Sequence, residues 1–368
     1  MSKTRNYGID LLRILCMIGI VGLHILDIGG ILEATGGTKA NYCVAWSFEI
    51  IFYCATSTFA MITGFLYINR TSGSYHTAAI IKLIVTAFFW CVVILGLTLC
   101  FFPTLLSGVK SYVYALFPPA KGGKTGGYWY LTSYTFLFFM IPYINRLLNS
   151  LSKRETKVLL TLLLVFFCVA PTIGLRDYFV VNEGYSPFWL IFCYMIGAYI
   201  KKYGLFYNTK RYLLPVAFGG NVVLLLGSKL LIAEITTGVL GHPFAENILI
   251  TYVSPFILAN SVLLLSLFKD INIKKPALQK GILLFSGCAF SVYIIHCNTL
   301  VFENWIAGCF SAVGQLPCLL MVVCIICIPI AIYLICSCVE LIRQKLFRFA
   351  RIDAALEKIG RRLDRILY

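Results

Sequence analysis

The chain has 368 residues, of which 60% are apolar and only 12% charged, and its mean hydropathy is +0.87. Those proportions exclude a soluble globular domain, a disulfide-stapled secreted scaffold and a disordered tail. The formal net charge of +16 arrives without the polar surface a soluble nucleic-acid binder needs, so it calls for a membrane explanation and implies no nucleic-acid partner.

Windows of about 20 apolar residues, enough to cross roughly 30 Å of hydrocarbon, can be placed ten times. They fall near 9–29, 44–67, 79–102, 128–146, 158–175, 187–200, 212–232, 248–268, 282–302 and 317–340. The expected fold is therefore all-α, a polytopic integral membrane protein with about ten crossings and both termini on one side. A transmembrane domain over 1–340 and a tail over 341–368 make up the chain. Of the 31 basic residues, 25 lie on the terminal side, and the positive-inside rule makes that side cytoplasmic. The first window lacks a small-residue cleavage site and reads as a retained helix.

Between the third and fourth windows, residues 103–127 hold Pro103, Pro118-Pro119 and the run GGKTGG (122–127), a mobile outer segment that serves as a lid or as a connector. In the tail, Leu346, Phe349, Ile352, Leu356, Ile359, Leu363 and Ile366 recur every three or four residues with arginines and lysines between. That pattern predicts an amphipathic helix, lying on anionic lipid or simply solvated. Most of the 15 cysteines fall in apolar spans, and Cys324 and Cys327 have no second ligand pair, so no metal is expected.

Ionisable groups inside spans are costly and mark function by default. The first window carries Asp10, Arg13 and His24, the second Glu49, the third Lys82 and the ninth His296. Eleven residues separate Arg13 from His24, which leaves them about 20° apart on one face and roughly 16 Å apart along the axis. Taken singly, Arg13 reads as an interfacial anchor and His24 as a packed histidine; together on one stripe they suggest a phosphate-binding cation below a proton acceptor. Asp10 sits one turn before Arg13 and is placed to orient it. Glu49 falls near the level of His24, either orienting the imidazole, binding an acceptor or simply facing water. Tyr293 and His296 face one way on the ninth helix, as a structural pair or as support for His24. Thr63 and Gly64 permit close helix approach, with packing the favoured role of the glycine. His76 and His242 fall in loops and carry no assignment.

Five segments, in order, resemble the membrane-bound acyltransferase-3 family. IDLLRILCMIGIVGLH (9–24) is similar to its Asp-x-x-Arg start followed ten residues on by His, and FAMITGFLYINR (59–70) to its Ser/Thr-Gly-Phe-Leu segment. GYWYLTSYTFLFFMIPYINRLL (127–148), FWLIFCYMIGAYIKKY (188–203) and FSGCAFSVYIIH (285–296) resemble its Trp-aromatic-Leu, Gly-Tyr and Tyr-x-x-His helices. The family often has two arginines at the start of the third helix, where HTAAIIK (76–82) offers only His76 and Lys82.

The resemblance implies transfer of an acyl group, most often acetyl from cytoplasmic acetyl-CoA, to a hydroxyl of a cell-surface or lipid-linked saccharide at a bacterial plasma membrane. Arg13, with Lys82 and Arg70, would hold CoA phosphates. His24 would act as general base or, in a variant, as the acylated nucleophile. Trp129 and Tyr134 are placed to stack on a sugar or to join the interfacial aromatic belt. The rival from another class is a transporter or glycan exporter, which would not consume acetyl-CoA; no internal repeat supports it. Membrane lipids are partners in either case, and the acceptor and oligomeric state stay open.

Overall fold

The computed structural model describes residues 5–70, 77–121, 127–206 and 209–367. Lys3, His76, Lys124 and most of the GGKTGG run lie outside the described residues. Among the described residues the chain is helical, without strands, and seven helices are long and apolar enough to cross a membrane.

The central helix, α1 (Tyr7–Leu26), begins where the Asn6 side chain accepts from the Ile9 amide at 3.1 Å. The Asn6 amide group donates to the Lys269 carbonyl at 2.7 Å, which ties the start of α1 to a distant loop. Around α1 pack α2 (Lys39–Tyr53) and α3 (Ala55–Tyr67), together with α10 (Pro255–Phe268), α11 (Pro276–Ser286), α12 (Ala289–His296) and α13 (Cys318–Phe349). The remaining long elements are α4 (Thr77–Phe101), α6 (Trp129–Ser150), α7 (Lys153–Gly174), α8 (Pro187–Tyr203) and α9 (Leu213–Leu240), with a short α5 (Gly108–Leu116) ahead of α6. In α1, 67% of the most apolar window is buried, against 11% in α7 and 17% in α9. So α1 is the axis of the bundle, while α7 and α9 present Ile173, Val216 and Val223 outward, where lipid replaces protein as the apolar partner.

The closest crossing is between α3 and α8. A Cβ on Gly64 would stand 1.9 Å from the Tyr194 carbonyl oxygen, and one on Gly197 would stand 1.9 Å from that of Met61. Reciprocal glycines let the two backbones touch, as small residues do in membrane bundles. Trp189 of α8 then reaches Ser57 of α3, its ring N–H donating at 3.1 Å.

Several expected boundaries move. The second window is a helix pair interrupted at Cys54. The eighth window, 248–268, is a helix only over its last 14 residues. Residues ahead of it form turns, because Gly241 closes α9 at φ +78, Pro243 cannot extend a helix, and Ser254 caps α10 by accepting from the Phe256 amide. The ninth window begins earlier, at Pro276, breaks at Gly287 and Cys288, and ends at His296. A turn at Cys297 and Asn298 interrupts the expected continuation before helical geometry resumes at Thr299; there the Asn298 side chain accepts from the Leu300 amide at 3.1 Å.

At the other end of the chain, α13 runs on past residue 340 to Phe349. The Glu340 carboxylate there accepts from the Arg343 guanidinium at 2.6 Å and from the Trp90 ring N–H of α4 at 3.1 Å, so the charges are buried as a pair. Arg351, at φ +55, turns the chain into α14 (Ile352–Leu367). This amphipathic tail helix docks on the start of α4. The Thr77 amide donates to Asp364 at 2.8 Å, Lys82 donates to Glu357 at 2.9 Å, and a Cβ on Gly360 would lie 2.4 Å from the Ala78 nitrogen.

Candidate active site

A cavity of about 400 Å³ opens along one side of α1, a volume suited to a small-molecule ligand. Arg13, Met17, Ile20, His24 and Asp27 all line it. Their spacing of four, three, four and three residues is that of a single helical stripe. The opposite side of α1 is held tight by small residues: a Cβ on Gly22 would sit 2.5 Å from the Phe52 ring of α2. The cavity therefore follows from α1 being closely packed on one side and open on the other.

Towards the Asp27 end of it, two histidines from distant parts of the sequence meet. His24 Nδ1 lies 3.0 Å from His296 Nε2, and His296 Nδ1 lies 2.6 Å from the Val292 carbonyl oxygen. A carbonyl only accepts, so His296 carries its hydrogen on Nδ1 and offers the lone pair of Nε2. His24 must then donate through its own Nδ1, which leaves the lone pair on His24 Nε2 unengaged among the described residues. His296 is the last helical residue of α12, which packs against α1. The Phe302 ring closes the far side of His24, edge-on at 5.1 Å between centroids.

Cys297 joins the pair, its Sγ 3.3 Å from His296 Nε2 and 3.7 Å from His24 Nδ1. The ligand atoms of all three residues fall within 4.8 Å of one another, a spread that would suit a metal ion. The 3.0 Å between the two ring nitrogens is a hydrogen-bond distance.

At one end of the stripe, Asp10 accepts from Arg5 Nε at 2.6 Å and meets Arg13 Nη1 only at 3.5 Å. Arg5 thus takes most of the carboxylate, and the Arg13 guanidinium keeps donors free on the cavity wall. Neither Lys82 nor Arg70 is part of that wall. Lys82 is held by the tail's Glu357, and the Arg70 guanidinium lies 3.7 Å over the Tyr67 ring.

At the other end, Asp27 and Glu49 share the wall with aromatic rings. Trp129 packs 4.7 Å from Tyr185, which packs 5.1 Å from Tyr252, itself 4.7 Å from Tyr53. Asp27, just beyond the end of α1, is exposed at that end. Tyr134 and Tyr293 face the cavity between the two ends, with the Tyr293 hydroxyl accepting from the Tyr130 amide at 3.3 Å. The structure therefore gathers Arg13, His24, Glu49, Trp129, Tyr134 and Tyr293 around one cavity, with His296 directly behind His24. Asp27 is absent from the sequence reasoning above although it extends the Arg13–His24 stripe by one turn; that continuation was the available signal. Tyr185 and Tyr252 come from loops whose approach to Trp129 no spacing reveals.

An imidazole thus stands between a guanidinium and two carboxylates on the wall of one cavity inside an apolar helical bundle. The chain belongs to the acyltransferase-3 family: the family's model, described as an acyltransferase domain, matches residues 6–336. It is a membrane acyltransferase. Comparison with curated proteins and with solved structures finds no match.

Proposed function

We propose that the chain moves an acyl group, most simply acetyl, from cytoplasmic acyl-CoA to a hydroxyl of a cell-surface or lipid-linked saccharide at the plasma membrane. Both termini are cytoplasmic in this reading, and α6, α8 and α10 complete ten crossings. At 14 residues, α10 spans only about 21 Å. The non-helical stretch before it buries Ile250, Tyr252 and Val253, in keeping with irregular backbone at membrane depth being tolerated where protein covers it.

Arg13 receives phosphates of CoA at the cytoplasmic end, its permanent charge and fork of donors matching them. Arg70 is a further cation near that mouth, and Lys82 becomes one when it leaves Glu357. The thioester reaches the level of His24, whose Nε2 removes the proton of the acceptor hydroxyl. The hydroxyl oxygen attacks the thioester carbon, the C–S bond breaks as the tetrahedral intermediate collapses, and the imidazolium returns its proton to the departing CoA sulfur. An acyl-histidine route would use the same lone pair as nucleophile.

The observation that carries this reading is the Val292–His296–His24 chain, which leaves a base facing a cavity with a cation at one end. Membrane vesicles given radiolabelled acetyl-CoA test it. Native protein should release CoA and label the glycan fraction, and His24→Ala at matched expression should lose both by about 10²–10⁴-fold. Undiminished transfer by His24→Ala would remove the base from α1, and absence of acetyl-CoA consumption by the native chain would overturn the donor.

A further inference from the structure

We propose that the Asp27 end of the cavity is an acceptor subsite selective for hydroxyl compounds that carry a protonated amine, such as an amino sugar or an amino alcohol. The inference rests on the acyl-transfer reading and names the chemistry of its acceptor.

Carboxylates that serve structure in this protein have partners. Asp10 has Arg5, Glu340 has Arg343 and Trp90, Asp364 has Thr77, and Glu246 has the buried Lys229. Glu49 does not follow that pattern. It is only 4% exposed, it stands on the cavity wall, and its Oε2 is buried without a hydrogen-bond partner among the described residues. Asp27 shares that wall. Among the described residues neither carboxylate has an ion-pair partner. Lys121, which also lines the cavity, is engaged by Glu303, and Arg13 is about 21 Å away from Asp27 along the axis of α1.

Glu49 stands buried and unpaired, and Asp27, itself exposed, adds a second negative charge to the same wall, an arrangement that burial and like-charge repulsion both disfavour. A ligand ammonium held by Glu49 and facing Asp27 relieves that repulsion. A neutral saccharide leaves the repulsion in place, and an anionic acceptor adds to it. The rings of Trp129, Tyr185 and Tyr252 border the same space, and aromatic faces attract an organic cation while covering its carbon skeleton. The register also fits the chemistry. Asp27 is one helical turn beyond His24, about 4.5 Å along the axis, so a hydroxyl on a carbon adjacent to the held amine comes within reach of the His24 imidazole.

The test uses the purified full chain in lipid nanodiscs at neutral pH, with calorimetric binding of glucosamine, glucose and N-acetylglucosamine. Glucosamine carries the charge, glucose lacks the nitrogen, and N-acetylglucosamine keeps the nitrogen without the charge. Glucosamine should bind about tenfold more tightly than either neutral sugar, and Glu49→Gln combined with Asp27→Asn should abolish the preference. Acyl-CoA binding at the Arg13 end, read separately, reports that the double variant is folded. Equal binding of the three sugars, binding of none of them, or a preference that survives in the double variant overturns the ammonium subsite. If His24-dependent consumption of acetyl-CoA is intact in the same preparation, that failure concerns the acceptor alone; if consumption is missing, the acyl-transfer reading falls with it.

Discussion

The group behind His24 sets its tautomer. Because the Val292 carbonyl fixes the hydrogen of His296 on Nδ1, His296 can only accept from His24, and the His24 tautomer follows. Removing the acceptor should therefore lower turnover without weakening the donor complex. In His296→Ala, kcat should fall by about 10²-fold while KM for acyl-CoA stays near that of the native chain. His296→Gln, whose amide oxygen can still accept from His24 Nδ1, should recover part of the loss. A His296 that merely fills space would give the same kcat for both variants, scaled only by how much protein folds. At this scale the stripe Arg13–His24 was legible from helical spacing, since both residues sit on one rigid element. The His24–His296 bond was not, because its partners are 272 positions apart and only the packing of α12 on α1 brings them together.

Helix packing shows the same division between local and distant information. Gly64 was assigned to packing from composition, and the structure supplies the partner: reciprocal glycines on α3 and α8 bring backbone against backbone. Adding a methyl group there cannot be absorbed by a flexible side chain, because the opposing atom is a carbonyl oxygen 1.9 Å from the new Cβ at either position. Gly64→Ala and Gly197→Ala should each destabilise by about 1–3 kcal/mol or more, seen as a lower thermal transition of the purified protein, whereas Gly219→Ala, with open space around it, should not. A transition unchanged in the first two variants would contradict the close crossing. Where sequence reasoning missed, the cause was local chemistry. Hydropathy windows treat Ser254 and Gly287 as minor interruptions, yet capping hydroxyls and chain reversals set helix ends. The tail was readable as an amphipathic helix, but its docking against α4 depended on Gly360 meeting Ala78.

For the whole molecule, orientation is the property with the most consequences, because the donor and acceptor ends of the cavity depend on it. Cys309 is exposed and belongs to the Asp27 end, where the neighbouring Phe310 amide donates to the Gly29 carbonyl at 2.9 Å. An impermeant maleimide applied to intact cells should label the native chain more than Cys309→Ser. Ala355→Cys, on the tail helix, should add label only after the membrane is opened. The reverse pattern would invert the proposed topology and place the acyl donor outside. The sequence by itself determined that the chain is a helical membrane protein with a cationic and an imidazole group on one face of its first helix, since hydrophobic length and helical periodicity act locally along the chain. Only the tertiary structure decided which histidine stands behind His24, that Arg5 rather than Arg13 holds Asp10 most closely, that Lys82 is occupied by Glu357, and that Asp27, Glu49 and three loop-borne or capping aromatics enclose one end of the cavity. Those outcomes depend on helix breaks and on close approach between residues far apart in the chain. Hydrophobic burial drives the helices together without direction, and only packed glycines, caps and hydrogen bonds set their final register.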